Sequence, residues 1–314
     1  LQITDYRTLR QTAESITALM PIDDAISSKV RAQYEVFPYP RWKVIAPEAI
    51  LRDWQMTPRY AEIERKLRGK KNRILVAGCG TGREAVAYAT LFPNAEILAV
   101  DLSRASLAYA TIKAAEMEIK NVTFRQADIL RLGMLDQQFD YIASTGVLHH
   151  MHDPAQGWRV LLGLLKPDGF MSLGFYSKIA RSAVLKAQGI VKQHNYASDA
   201  EGMRAFRKKA PEILGMPCID NLARFSDYFN MSMYRDLLFH VQEHNYDLLE
   251  INSMIKDLGL EFFGFYIDAA ALNEYSKANS NDPARTNLEN WHQFELKHPD
   301  IFKFMYNFWC QRPR

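Results

Sequence analysis

Cysteine is scarce in this sequence, and its spacing excludes a disulfide framework. The three cysteines are Cys79, Cys218 and Cys310, and no two of them form a Cys-x-x-Cys pair. An odd number of distant cysteines is typical of proteins that keep their thiols reduced. We therefore expect a reducing, cytoplasmic setting for this protein.

Long apolar runs and a strong net charge are missing as well. No apolar run approaches the ~18 residues of a membrane-spanning helix, and we expect no signal peptide. The formal net charge is only +3, so the composition predicts neither a nucleic-acid nor a membrane partner. The basic run at residues 65–73 is interpreted as a solvated helix end. Because the chain begins with Leu1 rather than Met, we expect a further N-terminal part that could carry partner specificity.

The clearest positive signal is the stretch RILVAGCGTG at residues 73–82. Residues 74–77 form a continuous apolar run, which is typical of a strand buried on both faces. Gly78, Gly80 and Gly82 follow at alternate positions and leave no Cβ in the way of a ligand. A helix is predicted next, so the positive end of its dipole faces the same turn. This stretch predicts a nucleotide-binding turn.

Further strands are predicted on either side of an interruption, and helical segments separate them. The predicted strands after the first cover residues 95–100, 121–126, 139–144, 170–176, 260–267 and 304–310. Residues 166–169, KPDG, are predicted to form a turn just before the fifth strand. Such alternation predicts right-handed crossovers and a doubly wound, mostly parallel α/β sheet with both faces covered.

Four regions are predicted along the chain. They are an N-terminal helical extension or clamp at 1–69, a Rossmann-like cofactor-binding core at 70–176, a helical cap insertion at 177–245, and the C-terminal part of the core sheet at 246–314. The extension contains YEVFPYPRW, in which two prolines forbid a regular helix. We interpret it either as a packed extension or as a lid that touches a ligand through Tyr34, Tyr39 or Arg41.

The cap insertion would lie at the carboxyl edge of the sheet, where open α/β folds bind ligands. Its aromatic and methionine-rich composition suits a substrate cap and makes Tyr228 and Tyr234 candidates for substrate contact. The same stripe also fits an ordinary apolar core.

Two acidic residues close successive predicted strands. Asp101 lies 19 residues after Gly82, the separation expected of a carboxylate that accepts bonds from both ribose hydroxyls. Asp128 could accept from an adenine amino group, with Ile129 beside the ring. The third glycine comes one residue too early for the dinucleotide fingerprint, and Glu84 would repel a pyrophosphate but not a cofactor that carries an ammonium.

These motifs resemble those of class I S-adenosylmethionine-dependent methyltransferases. The resemblance rests on GCGTG, Asp101, QAD at 126–128, TGVLHHMHDP at 145–154 and LLKPDGF before the fifth strand. It covers about 70–176 and the closing strands in 246–310, and it implies a seven-stranded sheet with a reversed last strand. YEVFPYPRW and FMYNFWCQRP further resemble a bacterial subgroup often attached to tetratricopeptide repeats, which implies a repeat domain as a possible N-terminal partner.

The resemblance also implies the parts of a cofactor site for S-adenosylmethionine, with S-adenosylhomocysteine as product. By this resemblance, the methionyl part would be contacted by Gly78, Cys79 and Gly80, and the ribose by Asp101 and Leu102. The adenine would be contacted by Asp128 and Ile129. The residues beside the sulfonium would be Thr145, Gly146 and Val147. One departure is Val76, which stands where the family often has an acid that orients the methionyl end. Arg41 or Glu84 could take over that role.

Histidines supply the candidates for catalysis and the one apparent metal motif. His149 and His150 follow the fourth predicted strand and are candidate general bases, with packing as the alternative. HVQEH at 240–244 matches H-x-x-E-H, which on a helix could hold zinc. The match is short and brings no third ligand, so we predict packing histidines and no metal.

The sequence thus predicts an enzyme that transfers a methyl group by in-line displacement to an unidentified acceptor, expected to be a small molecule. Two alternatives stay open at this point: a non-catalytic S-adenosylmethionine-binding scaffold module and an NAD-dependent oxidoreductase.

Overall fold

A seven-stranded sheet forms the centre of the molecule. The computed structural model describes residues 2–36, 38–40, 42–46, 60–69 and 71–313. The strands are β1 (Arg73–Ala77), β2 (Glu96–Asp101), β3 (Val122–Gln126), β4 (Phe139–Thr145), β5 (Leu165–Tyr176), β6 (Glu261–Phe265) and β7 (Met305–Gln311). Their order is β3-β2-β1-β4-β5-β7-β6, and β7 runs antiparallel to both of its neighbours. The predicted mostly parallel sheet with a reversed last strand is confirmed.

Helices cover both faces of the sheet and fill the insertion. Before β2 they are α1 (Gln2–Ser15), α2 (Ala25–Val36), α3 (Tyr60–Leu67) and α4 (Arg83–Leu91). Between β2 and β5 they are α5 (Arg104–Glu116) and α6 (Pro154–Gly163). After β5 they are α7 (Ser182–Gln193), α8 (Ala200–Leu214), α9 (Met216–Leu222), α10 (Met231–Phe239), α11 (Leu248–Asp257), α12 (Ala269–Ala278) and α13 (Leu288–Lys297).

The apolar run of β1 is buried on both faces, as its sequence predicts. Leu75 and Ala77 belong to the core on one side of the sheet, and Ile74 and Val76 belong to the core on the other. All four side chains are at most 1% exposed. Full burial of a large aliphatic side chain contributes about 1.5–3 kcal/mol, so the run holds the strand at the centre of the sheet.

The KPDG segment at residues 166–169, which the sequence predicts as a turn before the fifth strand, lies within that strand instead. Strand β5 already starts at Leu165, which pairs with Phe139, and the next pair is Phe170 with Tyr141. The four residues between these pairs therefore form an irregularity inside the strand. It is held by Asp140, whose carboxylate accepts hydrogen bonds from Lys166 Nζ at 2.8 Å and from the Arg73 backbone N–H at 2.9 Å.

The N-terminal helix is followed by a segment that pairs with the sheet. Helix α1 stops at Ser15, and the following residues pair with the edge strand β3. The Leu19 N–H donates to Gln126 O at 2.9 Å, and the Gln126 N–H donates to Thr17 O at 3.0 Å. A strand edge offers unpaired backbone groups, which satisfy this segment better than a further helical turn.

The insertion has a core of its own and a narrow stem. Side chains from α7 to α10 pack against one another, among them Val184, Phe206 and Leu237. At the stem, Ser177 and Tyr246 form a parallel bridge, with the Lys178 N–H donating to Tyr246 O at 2.8 Å. The insertion thus leaves and rejoins the sheet at neighbouring points. Within the described ranges, no helix has both the length and the apolarity to cross a membrane.

Candidate functional site

One cavity of about 560 Å³ lies at the carboxyl edge of the sheet. The predicted cofactor residues Gly78, Cys79, Gly80, Asp101, Leu102, Asp128, Ile129, Thr145, Gly146 and Val147 all line it. The rest of its lining is Ser27, Val30, Tyr34, Tyr39, Pro40, Arg83, Glu84, Ser106, Ala127, His150, Met151, Tyr176, Tyr266 and Met305. The topology therefore brings the predicted nucleoside residues and several predicted lid residues to one place.

The glycines of the β1 turn are needed for packing as well as for ligand approach. Gly78, Gly80 and Gly82 have φ values of 78°, 51° and 80°, a region that other residues rarely adopt. A Cβ on Gly80 would lie 2.7 Å from the carbonyl oxygen of Tyr39, and one on Gly82 would lie 2.5 Å from the Ala110 Cβ. The turn can therefore pack closely against both the N-terminal segment and α5.

Asp101 organises this turn from the end of β2. Its Oδ2 accepts from the Gly80 N–H at 2.8 Å, and its Oδ1 accepts from the Ser103 N–H at 2.9 Å. Burial raises the pKa of the carboxyl, and these backbone donors oppose that effect. Each oxygen keeps a second lone pair, so the carboxylate could also accept from two ribose hydroxyls.

Asp128 carries an unused acceptor. Its Oδ1 accepts from the Leu130 N–H at 3.0 Å, whereas the buried Oδ2 has no hydrogen-bond partner among the described residues. Since a buried polar atom without a partner is costly, this oxygen points to a ligand donor. The predicted adenine amino group could supply this donor, with Ile129 beside the ring.

Glu84, unlike Val76, lies where it can contact a ligand in the cavity. Val76 is buried in the core on one face of the sheet, whereas Glu84, in the first turn of α4, lines the cavity. The Glu84 carboxylate accepts from the Tyr88 hydroxyl and, at 3.4 Å, from the Thr145 hydroxyl. Burial raises its pKa, so its charged form gains most from a cation in the cavity. The ammonium of a methionyl group fits this site.

The N-terminal segment is fastened directly over the turn. The Trp42 indole N–H donates to Thr81 O at 3.0 Å, and the Thr81 hydroxyl donates to Pro40 O. Glu35 accepts from the backbone N–H groups of Arg104 and Ala105, at 2.7 and 3.1 Å, at the start of α5. Tyr34 and Tyr39 line the cavity from this segment, whereas Arg41 lies outside the described residues.

The two candidate histidines differ in position. His150 lines the cavity, and its Nδ1–H donates to Gln242 O at 2.8 Å, which leaves Nε2 as an acceptor. Burial lowers the pKa of His150 to about 4, so its ring is neutral near pH 7. His149 is not part of the lining; its ring packs on Tyr176 with centroids 4.0 Å apart.

The apparent zinc motif lacks the helix it needs. Helix α10 ends at Phe239, and His240 follows as its capping residue. The His240 ring stacks on His150 with centroids 3.8 Å apart, and Glu243 pairs with Arg181 at 3.1 Å. In the described part of the chain, no three or more histidine, cysteine, aspartate or glutamate side chains are grouped so that they could hold a metal ion.

Tyr228 and Tyr234 do not contribute to the cavity lining. Both belong to the core of the insertion, and Tyr234 is completely buried. The Arg207 guanidinium lies over the Tyr234 ring, 4.1 Å from its centroid. Both residues therefore belong to the apolar core of the insertion, and the prediction that they contact the substrate is not supported by their position.

Several lining residues escaped the sequence analysis, although a signal for three of them existed. Tyr176 ends β5, Tyr266 directly follows β6, and Met305 begins the antiparallel β7, so all three lie at the same sheet edge. The rule that singled out Asp101 and Asp128 would also have found them. Met151, in the loop after β4, carries no comparable signal.

Comparison with known proteins agrees with this site. A family model described as a methyltransferase domain matches residues 69–212. A ubiquinone biosynthesis O-methyltransferase of Alkalilimnicola ehrlichii is 35% identical over 120 residues, which cover 37% of this chain and 47% of the relative. An uncharacterised protein of Synechococcus is 27% identical over 324 residues, covering 97% of this chain and 76% of that protein.

The fold matches that of a solved protein, PKMT2 from Rickettsia typhi. The TM-score is 0.64 at 18% identity, and the match covers 87% of this chain and 54% of that one. The complex of the same protein with AdoHcy gives a TM-score of 0.60. This chain thus spans about half the length of PKMT2 and of the ubiquinone-pathway relative.

Residues 69–212 match a methyltransferase domain, and the sheet order and the cavity agree with S-adenosylmethionine-dependent methylation. The cofactor that these findings support is S-adenosylmethionine.

Proposed function

We propose that this protein moves the methyl group of S-adenosylmethionine by in-line displacement onto a small acceptor molecule. The observation that carries the proposal is the continuity of the cavity, which runs from Asp101 and Asp128 past Thr145 to Tyr34 and His150. The first part fits a nucleoside, and the second part has room and polar groups for an acceptor.

The cofactor supplies an activated methyl group on a cationic sulfur. What the chain supplies is alignment and exclusion of water, which dominate such a transfer. Asp101, Asp128 and Glu84 hold the ribose, adenine and ammonium ends, and the loop 145–147 lies between them and the acceptor. Residues 38–40 and 42, fastened to the turn through Thr81, close the site toward solvent.

Glu84 weighs against the nicotinamide alternative. Its carboxylate lines the cavity in the first turn of α4, where a dinucleotide would place its pyrophosphate. The Glu84 carboxylate and a pyrophosphate bound beside it would repel each other in a site of low dielectric. A sulfonium cofactor with an ammonium meets no such penalty.

Calorimetric titration tests the cofactor, and transfer of a labelled methyl group tests the reaction. We expect S-adenosylhomocysteine to bind at one site per chain, NAD to give no heat of binding, and label from the cofactor to appear in the small-molecule fraction of a lysate. Binding without any transfer would support the scaffold alternative instead, and label confined to protein would overturn the small-molecule acceptor.

A further inference from the structure

The part of the cavity beyond the cofactor residues has a definite polarity. We call it the acceptor chamber and define it by Tyr34, Tyr39, His150 and Tyr176, which belong to the cavity lining. Burial raises the pKa of both Tyr34 and Tyr39, and the nearby Asp236 and Tyr176 act in the same direction. The direction of the hydrogen bonds around these residues decides what the chamber can recognise.

Tyr34, Tyr39 and His150 each present a hydrogen-bond acceptor atom to the cavity. The Tyr34 hydroxyl donates to Asp236 Oδ1 at 2.8 Å, and the Tyr39 hydroxyl donates to Asp227 Oδ2 at 3.1 Å. His150 uses its Nδ1–H on a carbonyl oxygen, so Nε2 has only a lone pair to offer. The protons of Tyr34, Tyr39 and His150 are donated to groups outside the cavity. The two hydroxyl oxygens and the histidine Nε2 can therefore accept a hydrogen bond from a ligand but not donate one.

The neighbouring His240 strengthens this arrangement. Its Nδ1 accepts from the Gln242 N–H at 3.1 Å, so its proton resides on Nε2, which lies 3.2 Å from the Tyr34 hydroxyl oxygen. Burial lowers the pKa of His240 to about 4, which keeps the ring neutral. A directed chain therefore runs from His240 through Tyr34 to Asp236.

Behind the chamber wall lie three carboxylates, of Asp227, Asp236 and Glu243, and one buried guanidinium, of Arg181, which lies 3.6 Å from the Tyr176 ring centroid. Among the described residues, neither Asp227 nor Asp236 has a lysine or arginine nitrogen within 4 Å, whereas Glu243 nearby is paired with Arg181. Burial raises the pKa of both aspartates, so their charged forms gain from a positive charge nearby. A cation in the chamber would supply it, and an anion would be repelled.

We propose that the methyl acceptor is an amine, which enters the chamber as an ammonium with its N–H groups directed at Tyr34, Tyr39 and His150. The proposal rests on the methyltransferase function above and deepens it. An ammonium supplies donors for the acceptor atoms of Tyr34, Tyr39 and His150, and a positive charge for the two aspartates behind them. Carboxylic acids and phenolates supply neither, so the chamber disfavours them.

The same groups can prepare the amine for attack. A proton passes from the ammonium nitrogen to the Tyr34 oxygen while the Tyr34 proton passes to Asp236. The freed lone pair then forms the N–C bond with the methyl carbon, and the C–S bond breaks with its electron pair moving to sulfur. The products are a methylated ammonium, a neutral thioether and a protonated Asp236, which returns its proton to solvent after release.

The test compares acceptors of one skeleton in the presence of bound S-adenosylhomocysteine. The probes are 2-phenylethylamine, 2-phenylethanol and 3-phenylpropanoate, titrated calorimetrically against the wild-type protein, Asp236→Asn and the control Asp257→Asn. Asp257 is exposed at the end of α11, so its substitution removes a charge far from the chamber. We expect the amine to bind at least tenfold more tightly than the alcohol, and Asp236→Asn to abolish that preference while Asp257→Asn keeps it.

A second arm follows the methyl group itself. Label transferred to lysate components should withstand mild alkali and stay on a cation exchanger at acid pH, as an N-methyl amine does. Acid hydrolysis then distinguishes a lysine side chain from a free small amine. Label released by alkali as methanol, tighter binding of the carboxylate, an unchanged preference in Asp236→Asn, or no accepted amine at all would each overturn the proposal. Loss of S-adenosylhomocysteine binding in the wild type would instead count against the methyltransferase function.

Discussion

At the scale of single residues, the carboxylates of the cofactor site differ in how much of their hydrogen-bonding capacity the protein already uses. Asp101 has a backbone donor on each oxygen, and Asp128 has one on a single oxygen. Glu84 accepts only from side-chain hydroxyls. Asp101 therefore shapes the turn as well as the ligand site, whereas Asp128 and Glu84 are free to respond to the ligand, and their substitutions give cleaner tests.

Replacing Asp128 with asparagine should change which base the site prefers. The amide oxygen keeps the bond from the Leu130 N–H, but the amide can turn its N–H₂ group toward the base. We expect S-adenosylhomocysteine affinity to fall about 10–100-fold, because a buried donor then faces the adenine amino group. The 6-oxo analogue, S-inosylhomocysteine, should lose much less or gain. Calorimetry on both ligands checks this, and an equal loss for the two would contradict the adenine assignment.

Replacing Glu84 with glutamine should act on one end of the cofactor alone. The amide keeps an acceptor for Tyr88 and Thr145 but removes the charge that faces the ammonium. We expect about tenfold weaker binding of S-adenosylhomocysteine, in line with the loss of one charge-assisted bond. 5′-Methylthioadenosine lacks the amino-acid end and serves as the matched ligand, so its affinity should not change.

At the scale of elements, the contact between the N-terminal segment and the β1 turn depends on Gly80. In Gly80→Ala the new methyl would meet the Tyr39 carbonyl oxygen, and the residue would also carry the strain of its positive φ. We expect a stability loss of more than about 1 kcal/mol and weaker cofactor binding, measured by thermal unfolding and calorimetry.

The matched control for this variant is Gly69→Ala. Gly69 also has a positive φ, 75°, but a Cβ there meets nothing within 4 Å. It should lose stability through backbone strain alone and keep its affinity for S-adenosylhomocysteine. Identical behaviour of the two variants would mean that the contact with the N-terminal segment plays no part in cofactor binding.

Elements defined by local patterns could be predicted, and contacts between distant parts of the chain could not. The apolar run of β1, and Asp101 and Asp128 at strand ends, are local signals. The hydrogen bond between Tyr34 and Asp236 joins residues 202 positions apart, and no spacing rule reports it. The path of the HVQEH segment also depends on such distant contacts. Its backbone leaves α10 because His150 and Gln33 supply partners for Gln242 and Val241 from elsewhere.

At the scale of the whole molecule, stability should depend on pH through the buried Glu295. This carboxylate accepts from the hydroxyls of Tyr306 and Ser177, and its burial raises its pKa to about 7. The folded protein therefore binds this proton more tightly than the unfolded chain does. The resulting stability is fully present below about pH 4.5 and is lost as the pH rises to about 7, by about 3 kcal/mol.

Glu295→Gln should remove this dependence. The amide stays neutral and can still accept from one hydroxyl, so the variant should gain on the wild type as the pH rises from about 5 to about 8. Thermal unfolding of both proteins across this range measures the difference in their stability. Burial lowers the pKa of His150 and His240 to about 4, which has the opposite effect on stability, but this effect is the same in both proteins and cancels in the difference. Parallel curves for the two proteins would refute the assignment.

The stem of the insertion has a consequence for how such enzymes diversify. Because Ser177 and Tyr246 meet in one bridge, the helices between them leave and rejoin the sheet at neighbouring points and fold around a core of their own. Asp227 and Asp236 belong to this insertion, whereas Asp101, Asp128 and Glu84 lie on the sheet side of the cavity. Exchange of residues 177–245 would thus replace Asp227 and Asp236, which lie behind the acceptor chamber, and would leave the carboxylates of the methyl donor's site in place.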